Sequence, residues 1–128
     1  ETKSNPDSLR DGHIVKKYNP FLASIFNPQI QPFLKSYIAY NPAEEIQKLQ
    51  IPVLLINGTN DIQVGEDQAQ RLKEAYSNAQ LLMVKGMNHV LKDVPDGDLT
   101  ANMATYNNPE LALSEELIPG IISFIEKL

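Results

Sequence analysis

Asp61 and His89 are the residues whose types and spacing could do chemistry. A neutral imidazole can take up a proton at one nitrogen while the other donates to a carboxylate, which fixes the tautomer and stabilises the imidazolium that forms. In such a pair Asp61 orients and His89 acts as general base toward a nucleophile. Taken alone, each has a plainer reading: Asp61 as a turn or helix-capping carboxylate, His89 as an exposed loop histidine. His13 lies in a polar stretch with no partner in view and is expected at the surface. Asp93, Asp96 and Asp98 with Gly97 miss the calcium-loop pattern D-x-[DN]-x-[DN]-G, and no bidentate Glu follows in register, so a solvated loop is expected there. No metal and no cofactor are expected. The absence of cysteine removes a thiolate from the candidate nucleophiles.

A strand–helix–strand unit would bring the pair together. Val53-Leu54-Leu55-Ile56 is continuously apolar and follows Pro52, as in a strand covered on both faces of a parallel sheet. Leu81-Leu82-Met83-Val84 repeats the pattern. Between them, residues 66–76 place Ala69, Leu72 and Tyr76 on one side of an amphipathic helix, with Glu66 and Asp67 near its N-terminus. A right-handed crossover points both strands the same way, so the loops leaving Asn57 and Val84 emerge at one carboxyl edge. Asp61 lies four residues along the first loop and His89 five along the second. Gly58 and Gly86 would permit tight turns just beyond the strands.

Around this unit, residues 1–18 read as a polar arm, a loop or frayed segment. Residues 19–49 read as short helices started at Asn19-Pro20, Asn27-Pro28 and Asn41-Pro42, where Asn can cap and Pro can take the first helical position. Their aromatics Phe21, Phe26, Phe33 and Tyr37 read as packing rather than an acyl pocket. Residues 92–112 read as a long surface loop with one helical turn. A last helix is expected from Leu117, Ile118, Ile121, Ile122 and Ile125, with Ser114 as its cap and Pro119 blurring its start.

The chain has 128 residues, enough for one modest core, and a formal charge of −5 that offers no basic stripe for nucleic acid or an anionic membrane. No apolar run approaches the length of a membrane span, and Glu1-Thr2-Lys3-Ser4 carries no signal-peptide core. Without an initiator methionine the chain reads as cut from a longer one. Cellular location is left open.

The segments Ile51-Pro52-Val53-Leu54-Leu55-Ile56-Asn57-Gly58-Thr59-Asn60-Asp61-Ile62-Gln63-Val64 and Gly86-Met87-Asn88-His89 closely resemble the PVLxxxGxxDxxV and GxxH segments of α/β-hydrolases, in particular the esterase, lipase and serine-aminopeptidase-like branch. The resemblance covers the region from about Asn41 to the C-terminus. It implies an α/β class: a partial α/β-hydrolase fold with the last parallel strands, their crossover, C-terminal helices and a helical cap remnant. The implied divisions are a polar arm at 1–18, cap remnant and linker helix at 19–49, and the C-terminal part of the hydrolase domain at 50–128. Asp61 and His89 match the triad acid and histidine.

In this family the nucleophile precedes the acid on a G-x-S-x-G elbow. The upstream serines, Ser4, Ser8, Ser24 and Ser36, have no flanking glycines and follow no apolar strand. The resemblance therefore implies the C-terminal fragment of a serine hydrolase acting on a small-molecule ester, thioester or amide, inactive by itself. Two alternatives remain: a relative with an Asp nucleophile, such as a dehalogenase or epoxide hydrolase, or a non-catalytic binding or assembly fragment. A bare strand edge would favour contact with a missing N-terminal half or self-association.

Overall fold

Leu9 and Val15, two apolar residues in a largely polar stretch, are both buried in the computed structural model, which describes residues 5–128. The expectation of an unstructured arm is corrected from residue 5 onward; its first four residues lie outside those described. Helix α1 (Asn5–Arg10) delivers Leu9 to a small core with Val15 and Phe26, against which Tyr18, Leu34 and Ile38 pack. Periodicity cannot reveal such single anchors. The strap is held by Gln31, whose Oε1 accepts from the Val15 amide at 2.8 Å while Nε2 donates to the carbonyls of Val15 and Phe26 at 2.7 Å each.

The Asn-Pro pairs mark element starts as expected at two places of three. Asn19 caps a 3-10 turn at Pro20–Leu22, its Oδ1 accepting from the Phe21 amide at 3.0 Å; α2 (Ala23–Phe26) follows. Asn41 precedes α4 (Pro42–Ile46), its side chain accepting from the Ala43 amide and donating to Glu44. Asn27 instead forms a turn, and α3 (Gln31–Ile38) starts four residues later with Pro32 in its first turn. Phe26 packs in the core, whereas Phe21, Phe33 and Tyr37 are exposed.

The chain divides into two units, Glu1–Glu45 and Ile46–Leu128. In the second, β1 (Leu54–Gly58) and β2 (Gln80–Val84) pair in parallel, from Leu54 opposite Gln80 to Gly58 opposite Val84. β1 thus runs two residues past Ile56, because Asn57 and Gly58 still have partners on β2. Both strands are largely half-buried rather than fully covered, and among the described residues each has one unpaired edge. Helix α5 (Glu66–Ala75) connects them, with Ala69 buried and Leu72 and Tyr76 half-buried. Its end is closed by Lys73, whose Nζ donates to the carbonyls of Ser77 and Ala79.

Residues 92–112 hold more helix than expected: α6 (Leu99–Ala104) continues into a 3-10 turn at Thr105–Asn107. Asp98 caps α6, accepting from the Ala101 amide at 2.8 Å. The buried face of this helical stretch is polar, formed by Asn102 and Thr105, so an apolar period does not signal it. The last helix, α7 (Leu117–Ile125), carries Pro119 in its first turn, where the missing N–H has no intrahelical partner to lose. Ser114 is not its side-chain cap; it is buried, and its carbonyl accepts from the Leu117 amide. Leu117 joins Val84 and Met87 in the core, with Ile56, Leu82 and Ile121 around them. Full burial contributes about 1.5–3 kcal/mol for each large apolar side chain. On α7, Ile118, Ile122 and Ile125 remain about half exposed. No helix among the described residues is long and apolar enough to cross a membrane.

Candidate active site

Parallel pairing puts the loops after β1 and β2 at the same sheet edge, and backbone bonds sew them together. The Thr59 amide donates to Val84 O and the Asn60 amide to Met87 O, both at 3.0 Å, while the Gly86 amide donates to Thr59 Oγ1 at 2.9 Å. Gly86 has φ +75°, a left-handed turn suited to glycine. Gly58 serves differently from the expected turn residue: a Cβ there would overlap the Met87 carbonyl, so its hydrogen is what lets the second loop approach.

Asp61 and His89 meet, with Nδ1 of the ring 2.8 Å from Oδ2 of the carboxylate. The Asp61 side chain is 7% exposed and the His89 side chain 39%. The other carboxylate oxygen accepts from the amides of Gln63 and Val64, each at 2.8 Å. Burial pushes the Asp61 pKa up, but the Val64 amide, the His89 ring and the Gln63 amide together outweigh it and hold the carboxyl below its ordinary value. An ionised Oδ2 can only accept, so Nδ1 must carry the proton and Nε2 is left as a base. Nε2 has no partner among the described residues.

The His89 loop is closed by an antiparallel bridge between Met87 and Asp93 and by the Asn88 amide donating to Lys92 O at 2.9 Å. Leu91, within it, is held at φ 65°, an uncommon conformation for a branched side chain. His89 and Leu91 line a hollow of about 220 Å³ together with Asn57 and Gly58 at the end of β1. Asn57 is buried and donates to Val64 O at 3.2 Å, while its Oδ1 has no partner among the described residues.

His13 is exposed in the first unit. The three loop carboxylates act as acceptors, Asp93 for the Glu115 amide, Asp96 for Asn60 Nδ2 and Asp98 for its helix cap. No cluster of three or more metal-ligating side chains occurs among the described residues.

Composition and motif gave no notice of Asn60, Asn88, Asn102 and Thr105, which form a polar network beneath the pair. Asn88 Nδ2 donates to Asn102 Oδ1 at 3.1 Å and to Thr105 Oγ1 at 2.7 Å, and Asn102 Nδ2 donates to Asn60 O at 2.8 Å. The available signal was the cap at Asp98 followed by Asn102 and Thr105, three residues apart on one helical face.

Two parallel strands joined through a helix, with an acid after the first meeting a histidine after the second, are the marks of an α/β-hydrolase relative. The model of the TAP-like protein family of α/β-hydrolases matches residues 35–106, which hold both loops and the polar network, and the chain belongs to that family. No curated protein and no solved structure matches it.

Proposed function

We propose that this chain is the C-terminal part of a serine hydrolase acting on ester, thioester or amide bonds, with Asp61 as the triad acid and His89 as the base. The observation that carries this reading is the 2.8 Å contact between His89 Nδ1 and Asp61 Oδ2, which leaves Nε2 free. In the reaction Nε2 takes the serine proton as the hydroxyl oxygen attacks the substrate carbonyl, and Asp61 stabilises the imidazolium. The same nitrogen returns the proton to the leaving group, and water, activated by the ring, then releases the acyl group.

The serine is proposed to come from outside the 128 residues. Ser8, Ser24 and Ser36 lie in α1, α2 and α3, not between a strand and a helix, and Ser36 Oγ already donates to Phe33 O. Oxyanion-hole amides are assigned to the same outside segment, and residues 19–49 to a cap remnant. Among the described residues each strand of the sheet is paired on one edge only, which supports contact with further strands of the fold or with a second copy.

Hydrolysis of p-nitrophenyl esters and aminoacyl anilides by a protein carrying this chain behind a nucleophile elbow tests the reading. His89→Ala is expected to lower kcat by at least about 10⁴-fold. The 128-residue chain alone is expected to show no turnover. Retention of activity in His89→Ala, or turnover by the chain alone that this substitution abolishes, would overturn the proposal.

A further inference from the structure

We propose that Asn102 is a positioning residue for the Asp61–His89 pair: a single buried amide that ties together the residues immediately preceding the acid and the base. The inference rests on reading that pair as catalytic. Asn102 is 3% exposed on α6, far in sequence from both loops. Its Oδ1 accepts from Asn88, the neighbour of His89, and its Nδ2 donates to the carbonyl of Asn60, the neighbour of Asp61.

Each end of the bridge is itself constrained. Asn88 Oδ1 accepts from the amides of Val90 and Lys92 at 3.1 and 3.0 Å, so its side chain also folds the loop around His89. Asn60 Nδ2 donates to Val94 O at 2.8 Å. Thr105 Oγ1 accepts from Asn88 and donates to the Asn102 carbonyl at 2.7 Å, but it does not reach the Asp61 loop. Backbone bonds fix where the two loops leave the sheet, and Asn102 adds a link one residue before each reacting side chain. An amide buried with both ends paired holds its partners firmly, whereas losing it leaves a buried donor or acceptor unsatisfied. Without the bridge the bonds at the bases of the loops remain, but the residues just before Asp61 and His89 lose their common tie, the Nδ1–Oδ2 bond is less firmly enforced, and the ring is freed toward the Nε2–H tautomer that free imidazole prefers.

The tautomer of His89 is therefore the readout, since a residue that only stabilised α6 would not move it. Long-range ¹H–¹⁵N correlation spectra of the full chain labelled at histidine report it, with exposed His13 as internal reference. At about pH 8 the native chain is expected to show His89 locked as Nδ1–H. Asn102→Ala should shift the tautomer ratio about tenfold toward Nε2–H, the scale of one hydrogen bond. Asn102→Asp, which keeps the volume and the acceptor but loses the donor to Asn60, should shift it the same way, and it decides the matter if the alanine variant does not fold. Thr105→Val, which spares the bridge, should leave the ratio native.

A native ratio in Asn102→Ala or Asn102→Asp, or an equal shift in Thr105→Val, would overturn the positioning role while leaving the pair intact. A native His89 that resembles His13 and ignores Asp61→Asn would instead defeat the pairing itself, and the inference with it.

Discussion

Asp61 divides its two oxygens between structure and chemistry: one holds the amides of Gln63 and Val64 at the approach to α5, the other holds His89. Because its folded pKa lies below the ordinary 3.8, the ionised form stabilises the fold above that value, and the contribution is lost as pH falls through the lower, folded pKa. Thermal melts should show native protein more stable than Asp61→Asn at about pH 6, with the gap closing only below about pH 4. A gap that widens on acidification would contradict this sign. Asn at this position can keep the geometry yet present an N–H to His89, favouring the opposite tautomer, so under the proposed function the activity of a protein carrying this chain behind a nucleophile elbow should fall by on the order of 10⁴-fold. Leu91 makes a second point at this scale. Its left-handed backbone stores strain beside the histidine. In denaturant unfolding, Leu91→Gly should be close to native stability, while the β-branched Leu91→Val should lose about 1–2 kcal/mol. That Asp61 and His89 meet was legible in the sequence, because the paired strand pattern puts both loops at one sheet edge. The asparagines beneath them were not, since an Asn in a polar stretch looks the same whether buried or solvated.

Two glycines separate what β1 needs from what α7 tolerates. A methyl group at Gly58 would strike the Met87 carbonyl, a backbone atom that cannot move without shifting the His89 loop; at Gly120 it would strike a terminal methyl of Leu82, which can rotate away. Gly58→Ala should therefore destabilise by about 2–4 kcal/mol and break the Asp61–His89 bond, whereas Gly120→Ala should lie within about 1 kcal/mol of native because alanine also favours the helix. Chemical denaturation beside the His89 ring signal distinguishes the two. The strands and α5 were legible because apolar runs and a 3.6-residue period reflect burial directly. The end of β1 was not, since Asn57 and Gly58 are polar and small yet stay in register with β2. α6 escaped for a related reason: its inner face bonds rather than excludes water.

At the scale of the molecule, the described residues of this α/β-hydrolase relative hold a two-stranded sheet and a last helix with apolar residues on two sides. Leu117 and Ile121 face the core, while Ile118, Ile122 and Ile125 face outward at 47%, 49% and 57% exposure. A helix apolar around most of its girth is ordinarily enclosed. Light scattering at tens of micromolar should find the isolated chain associated, and Ile122→Lys with Ile125→Lys should shift it toward monomer; a strictly monomeric native chain would count against the expectation. The amide bridge from α6 bears on a different matter, the grafting of the Asp61–His89 pair into another scaffold. The pair looks portable as the stretch 54–89, one strand–helix–strand module with its two loops. Asn102 lies outside that stretch, so a transplant ending at His89 would carry both side chains of the pair and leave behind the proposed clasp between their loops. The smallest transferable piece runs on through α6, and chimeras cut on either side of that helix should differ in how firmly they hold the imidazole.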